Sequence, residues 1–258
     1  MWIHPSSKSF TNYALKYIEN PLFMVVAGSR MYGFNDEDSD WDVYAVFIHP
    51  SINLFRLEKP ASDFITPERS LYKRKVSVKV EEVEQVFNKI ICGNMKTFER
   101  IYSHIVTMRT DHYHEIRKLG KYFFTQKLVE NYLENIELFL VKYQEQKNIK
   151  FLIYALRSSM TANILVKTKV FTLNLQQIYK LYPNTNLKEL VDAKINKKTF
   201  NNIYNVLKEV EKLKTETIGL LKNLPKEANE RNINSLNDYL VSLRLQHIFS
   251  KAKKINFV

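Results

Sequence analysis

Cysteine is all but missing: among 258 residues there is one, Cys92. That excludes an internal disulfide and any cysteine-based zinc cluster. Flanked by Ile90, Ile91 and Gly93, Cys92 reads as a packed thiol at a helix end rather than a nucleophile. Glycine and proline are scarce too, at 5 and 7 residues, which speaks against a turn-rich β protein and for long helices. Acidic residues fall short: 27 Asp and Glu face 39 Lys and Arg, a formal charge of +12. Such a balance draws polyanions, nucleic acid first and nucleotide phosphates second, although a Lys- and Asn-rich composition inherited from an AT-rich genome would produce the same sum. No apolar run approaches the roughly 18 residues of a membrane span. The opening MWIHPSSKSF lacks the charged segment and apolar stretch of a signal peptide. A soluble, cytoplasmic chain without a membrane partner is expected.

What is present suffices for a sizeable core: 45% of residues are hydrophobic and 13% aromatic, too many for a disordered chain. Ser6 or Ser7 can cap a first helix carrying Phe10, Tyr13, Ala14 and Tyr17. LFMVVAG, from Leu22 to Gly28, predicts a buried strand, and WDVYAVFIHP predicts a second, closed by Pro50. Residues 51–70 read as an irregular insertion. Lys73, Arg74 and Lys75 look like the charged entry to a third strand, on which Val76, Val78 and Val80 face one side and Ser77, Lys79 and Glu81 the other. EEVEQVFNKIIC is a helix stopped by Gly93-Asn94, followed by a short one, MKTFERIYS. From about Asp111 onward the pattern is helical, with apolar residues three and four apart in HEIRKLGKYFF, QKLVENYLENIELFLVKYQEQ, IKFLIYALRSSMTANILVKT, LQQIYKLY, TFNNIYNVLKEVEKLKTETIGLLKNL and SLNDYLVSLRLQHIFSK. The expected fold is therefore α+β, a mixed sheet with helices over residues 1–110 followed by an all-α domain over 111–258.

The chemistry concentrates in AGSRMYGFNDEDSDWDVYAVF. Asp40 and Asp42 stand in an apolar strand, where carboxylates are costly unless a cation meets them. Two apart on a strand, they point to one face, and they repel unless one is protonated or a divalent cation lies between them. Mg²⁺ is the usual ion for oxygen ligands that also meet phosphates. Just upstream, Gly28 lets the backbone approach a phosphate and Ser29 adds a hydroxyl, although Ser29 could be a helix cap and Arg30 could pair with a structural carboxylate. Asp36, Glu37 and Asp38 read as a solvated turn. Lys150 and Arg157, seven apart, share a helix face. The histidines, His112 and His114 included, form no zinc pattern.

The ordered set Gly28-Ser29-Arg30-Met31-Tyr32-Gly33, then Asp38-Ser39-Asp40-Trp41-Asp42-Val43, resembles the polymerase-β-type nucleotidyltransferase superfamily. Within it, the chain looks like the branch of predicted nucleotidyltransferases with RNA-repair-associated members. VFNKIICGNMKTFERIYS is similar to that branch's apolar helix, Gly-Asn stop and downstream Glu, here Glu99, with Met95 where proline is usual. KFLIYALR matches its Lys, His, Arg helix through Lys150 and Arg157, with Tyr154 in place of the histidine. The likeness spans roughly residues 22–170.

The resemblance implies a minimal nucleotidyltransferase sheet closed over by helices. Its activity would be Mg²⁺-dependent transfer of a nucleoside monophosphate from an NTP to an acceptor hydroxyl, with pyrophosphate released. Asp40 and Asp42 would hold one or two Mg²⁺, with Mn²⁺ able to substitute. A third carboxylate would come from a neighbouring strand; strand parity prefers Glu81, with Glu82 the alternative at the head of the next helix. Gly28 and Ser29 would grip the β- and γ-phosphates, and Arg30, Lys150 and Arg157 would neutralise the leaving pyrophosphate. The basic charge favours an RNA acceptor, a tRNA 3′ end or a damaged terminus. A protein hydroxyl or a small molecule is the enzymatic alternative, and a non-catalytic RNA- or partner-binding module that keeps the fold is the alternative of another class.

Overall fold

The computed structural model of the chain describes residues 7–71 and 74–252; Ser6 and Lys73, given roles above, lie outside them. Among the described residues six strands form one mixed sheet: β1 (Pro21–Val26), β2 (Trp41–Phe47), β3 (Asp63–Ile65), β4 (Arg69–Leu71), β5 (Arg74–Glu82) and β6 (Val106–Met108). The order is β3-β5-β2-β1-β6, and β4 also pairs with β5. The apolar runs of β1 and β2 belong to strands with neighbours on both edges and cover on both faces. They pair antiparallel, whereas β2 and β5 run parallel. The insertion at 51–70 is more ordered than expected, because β3 and β4 both add antiparallel to β5. The short β6 gives no periodic signal and exists by pairing with β1.

Alternation sorts the sheet into two faces. Met24, Val26, Trp41, Val43, Ala45, Val76, Val78 and Val80 pack with Phe10, Tyr13 and Ala14 of the first helix, α1 (Ser7–Ala14). The opposite residues Phe23, Val25, Tyr44 and Val46 join a larger cluster with later helices. The helices after α1 are α2 (Gly28–Tyr32), α3 (Val83–Ile91), α4 (Met95–Ile101), α5 (Asp111–Gly120), α6 (Gln126–Gln146), α7 (Ile149–Thr168), α8 (Leu175–Leu181), α9 (Leu187–Ile195), α10 (Ile203–Leu220) and α11 (Glu230–Ala252); α2, α8 and α9 pack instead in a second cluster, with Leu152, Leu156 and Val206. The larger cluster takes in Phe98, Tyr113, Leu128, Tyr132, Leu165 and Leu236 alongside the strands, so one core runs across position 110.

Helix α3 starts where β5 ends, capped by the Glu82 carboxylate, which accepts from the Glu84 N–H at 2.7 Å. It stops at Gly93, whose φ of +67° suits glycine and where a Cβ would lie 2.8 Å from the Leu128 backbone nitrogen. Cys92 is exposed, which corrects the expected packed thiol: at the helix end it turns away from the face that Ile90 buries. Helix α7 is buried almost all round, polar residues Ser158, Thr161 and Asn163 included, and packs against α6, α9 and α10. By length and composition alone its 20 residues could cross a membrane, which the sequence reading had excluded, yet 78% of that stretch is buried inside the protein.

Candidate active site

The turn after β1 is built around one glycine. Gly28 has φ +67°, a region that glycine enters without strain. A Cβ at Gly28 would lie 2.2 Å from Asp42 Oδ2, so the missing side chain also makes room for the carboxylate. The Ala27 N–H donates to the Asp42 carbonyl at 2.7 Å, and Ser29's carbonyl accepts from Gly33 and Phe34 at 3.0 and 3.2 Å. Together these bonds fix the turn against the start of β2.

Arg30 braces this arrangement. Its Nη2 donates to the Ser39 carbonyl at 2.5 Å and its Nε to the Asp40 carbonyl at 3.1 Å, and the guanidinium lies 4.0 Å above the Trp41 ring. Its Nε and Nη2 thus serve the aspartate loop. The acidic stretch before it is pinned as well. Asp36 accepts from Lys194 Nζ at 2.7 Å and Ser39 Oγ at 2.6 Å, and Asp38 pairs with Lys197 at 3.0 Å. The hydrogen bonds from Lys194 and Ser39 hold the Asp36 carboxyl far below its ordinary range. Thus α9, which the sequence reading passed over, steadies the motif from about 160 residues away in sequence.

Asp40 and Asp42 are both open to solvent at the head of β2. This corrects the expectation of carboxylates sunk in an apolar strand: Asp40 precedes the strand, and Asp42 leads the alternating face at its open end. Burial by the surrounding walls and the charge of Asp40 raise the Asp42 pKa, while Lys150, Arg100 and Arg30 pull it back. A carboxylate raised by a neighbouring carboxylate marks a local shortage of positive charge. The donor set, two hard oxygen ligands facing solvent, fits a divalent cation whose shell is completed by water and substrate oxygens.

The third carboxylate is a correction. In the parallel pairing Asp42 lies beside Ser77, while Glu81 lies beside Val46. Four residues at about 3.3 Å each put Glu81 roughly 13 Å farther along the strand. It is fully buried and bound there: its Oε1 meets Lys79 at 2.8 Å, Lys89 at 3.0 Å and Arg100 at 3.5 Å, and its Oε2 accepts from the Tyr44 hydroxyl at 2.8 Å. Glu82, the alternative, pairs with Arg244 at 2.7 Å in addition to capping α3. Among the described residues no group of three or more His, Cys, Asp or Glu converges as a metal site. Because Ser77 occupies the place beside Asp42, Ser77→Asp is expected to tighten Mn²⁺ binding by the protein about tenfold. Titration calorimetry reads this directly, and unchanged affinity would mean that this position does not face the pair's cation.

The two cations expected from α7 have separate fates. Lys150, in the first turn, is exposed, lies 5.7 Å from the Tyr154 ring centroid and acts electrostatically on Asp42. Arg157 is 1% exposed and forms a buried pair with Glu99, Nη2 to Oε1 at 2.8 Å, with its guanidinium 3.8 Å over the Tyr32 ring. Tyr32 donates to Glu99 Oε2 at 2.5 Å, and Tyr132 donates, at 3.0 Å, to the same Oε1 that Arg157 holds. Arg157 therefore cannot reach a phosphate here, and its expected binding role is corrected to an internal one. It ties α7 to α4 and to the turn that carries the motif. Tyr154 rests against Phe34 and Phe139, and burial, net of Arg157's opposing charge, pushes its phenol up to about 12. It does not titrate where a histidine would.

Strand parity had put Ser77, Lys79 and Glu81 on one face, but only the register shows which of them neighbours Asp42. Lys89 and Arg100 had no sequence signal beyond belonging to amphipathic helices.

The sequence profile of the RNA repair pathway DNA polymerase beta family, RlaP, matches residues 7–242 of the chain. No curated protein matches it. Among solved structures, a nucleotidyltransferase-like protein from Exiguobacterium sibiricum aligns at 11% identity over 97% of this chain and 79% of its own, with a TM-score of 0.34.

Proposed function

This chain belongs to the RNA repair pathway DNA polymerase beta family, a polymerase-β-like nucleotidyltransferase family, and on that premise we propose that it transfers a nucleoside monophosphate from an NTP to a hydroxyl of RNA. The observation that carries the reading is the seat of Gly28 against the Asp42 carboxyl. Only a glycine leaves the backbone near enough for a triphosphate to meet the turn and the aspartates at once. Asp40 and Asp42 would hold Mg²⁺ or Mn²⁺, which when bound supplies charge stabilisation at the phosphates. The backbone at Gly28 and the Ser29 hydroxyl hold the outer phosphates, and Lys150, facing Asp42, offsets their charge. The acceptor oxygen bonds to the α-phosphorus as the bond to the bridging oxygen breaks; the hydroxyl proton goes to water and pyrophosphate departs. RNA as acceptor is supported by the family and by the +12 charge.

One observation favours the non-catalytic module: Ser77 leaves the aspartate pair without a third carboxylate on β5. A single assay decides between the two. The protein is incubated with Mg²⁺ or Mn²⁺, each α-labelled NTP in turn and total RNA. Label in RNA is the expected outcome. Label on protein instead would move the acceptor and keep the chemistry, and no label with either metal would favour the binding module.

A further inference from the structure

The buried carboxylate of Glu81 collects more positive charge than it balances. Lys79, Lys89 and Arg100 all converge on one of its oxygens, at 2.8, 3.0 and 3.5 Å. Three cations against one anion leave a local charge of +2. The side chain of Glu81 is 0% exposed, while those of the three cations are 35%, 29% and 21% exposed. The negative charge is therefore hidden and the positive one displayed. The carboxylate is firmly ionised: burial alone would raise its pKa, but hydrogen bonds from Lys79, Tyr44 and Lys89 outweigh it and hold the value below the ordinary one.

The placement of this cluster matters as much as its charge. Asp42 and Tyr44 on β2 share a face with Ser77, Lys79 and Glu81 on β5, so Lys79 stands one step along the sheet from the aspartate pair. Arg100 lies 4.8 Å from the Tyr44 ring centroid and acts electrostatically on Asp42. Gly28 and Ser29 follow β1, on the opposite edge of β2. The aspartates thus have two flanks, a phosphate-admitting turn on the β1 side and a displayed cation cluster on the β5 side. An in-line displacement requires the attacking and leaving oxygens on opposite sides of the phosphorus. With pyrophosphate at the Gly28 turn, the acceptor comes from the other flank.

We propose that Lys79, Lys89 and Arg100, held in place by Glu81, form a docking site for a backbone phosphate of the acceptor RNA strand. The inference rests on the nucleotidyltransferase reading for its orientation. Lysines and arginines offered as fixed, partly desolvated donors suit a phosphate better than freely solvated side chains do, and contacts of this kind position a strand without reading its sequence.

The test uses the full chain and a fluorescein-labelled single-stranded RNA oligonucleotide, with anisotropy measured across a range of KCl concentrations. Lys89→Ala and, separately, Lys79→Ala each leave Glu81 with two cations, so the fold should survive, which thermal melting checks. Either variant is expected to weaken RNA binding about tenfold and to lower the slope of log affinity against log salt by about 0.7, the single-strand value for one lost contact. ATP binding should be unchanged. Lys167→Ala, which removes a remote surface partner of Glu216, should alter neither. Unchanged RNA affinity and slope in both variants would overturn the proposal. So would an equal loss of ATP affinity, which would assign the cluster to the nucleotide's own phosphates. Wild-type protein that binds no RNA at low salt would overturn it together with the RNA acceptor, whereas labelling of another acceptor would leave the nucleotidyltransferase reading standing.

Discussion

Asp42→Asn is expected to abolish nucleotidyl transfer while leaving the protein as stable as before or more so. The substitution keeps shape and removes the charge that a divalent cation needs. A loss of about 4 kcal/mol of transition-state stabilisation corresponds to about a thousandfold in rate. Stability should move the other way. Burial and the neighbouring Asp40 raise the folded-state pKa of Asp42, so ionising it costs folding free energy in the metal-free protein. Where an Asp pKa is raised on folding, the cost is absent below the unfolded pKa and complete above the folded one. The variant should therefore melt at or above the wild-type temperature near neutral pH in EDTA, and the difference should close as pH falls through the carboxylate range. Retained activity would remove Asp42 from the chemistry, and a clear drop in melting temperature would show that it does structural duty.

The opposite pattern is expected at Arg157. Removing one member of a buried ion pair strands the other, at about 3–5 kcal/mol. Arg157→Met leaves the Glu99 carboxylate with only Tyr32 and Tyr132 as donors. At about 2–4 °C per kcal/mol for a chain of this size, the melting temperature should fall by roughly 6–20 °C. Adding Glu99→Leu should restore a good part of that loss, because a well-packed apolar pair often replaces a buried ionic one without penalty. An Arg157→Met protein that melts like the wild type but binds NTP poorly would return Arg157 to the phosphates and refute the internal role.

Much of the fold was legible because its elements carry strong local patterns. The bounds of α6 and α7 and the parity of β5 follow from apolar spacing, which side-chain geometry imposes whatever the neighbours are. The misses share a cause. Strands β3, β4 and β6 are three residues each and exist through pairing, for which a short run carries no periodic signal. Helix α9 was overlooked in a Lys- and Asn-rich stretch, yet Lys194 in its last turn and Lys197 just beyond it hold the acidic turn.

The sequence by itself determined the kinship and the local frame of the candidate site. Gly28, Ser29, Asp40 and Asp42 lie close together along the chain, and the strand-turn-strand that joins them is set by local backbone preferences. Tertiary structure alone decided which cations face the aspartates and which are consumed inside. Lys150 and Arg157 share one helix, yet only Lys150 stays exposed and acts electrostatically on Asp42, because Glu99 arrives from α4 to bury Arg157. Ser77 and Glu81 share one strand face, yet the parallel register sets Ser77 beside Asp42 and leaves Glu81 to gather three cations farther along. Register and burial are sums over contacts distant in sequence, and no local pattern contains them.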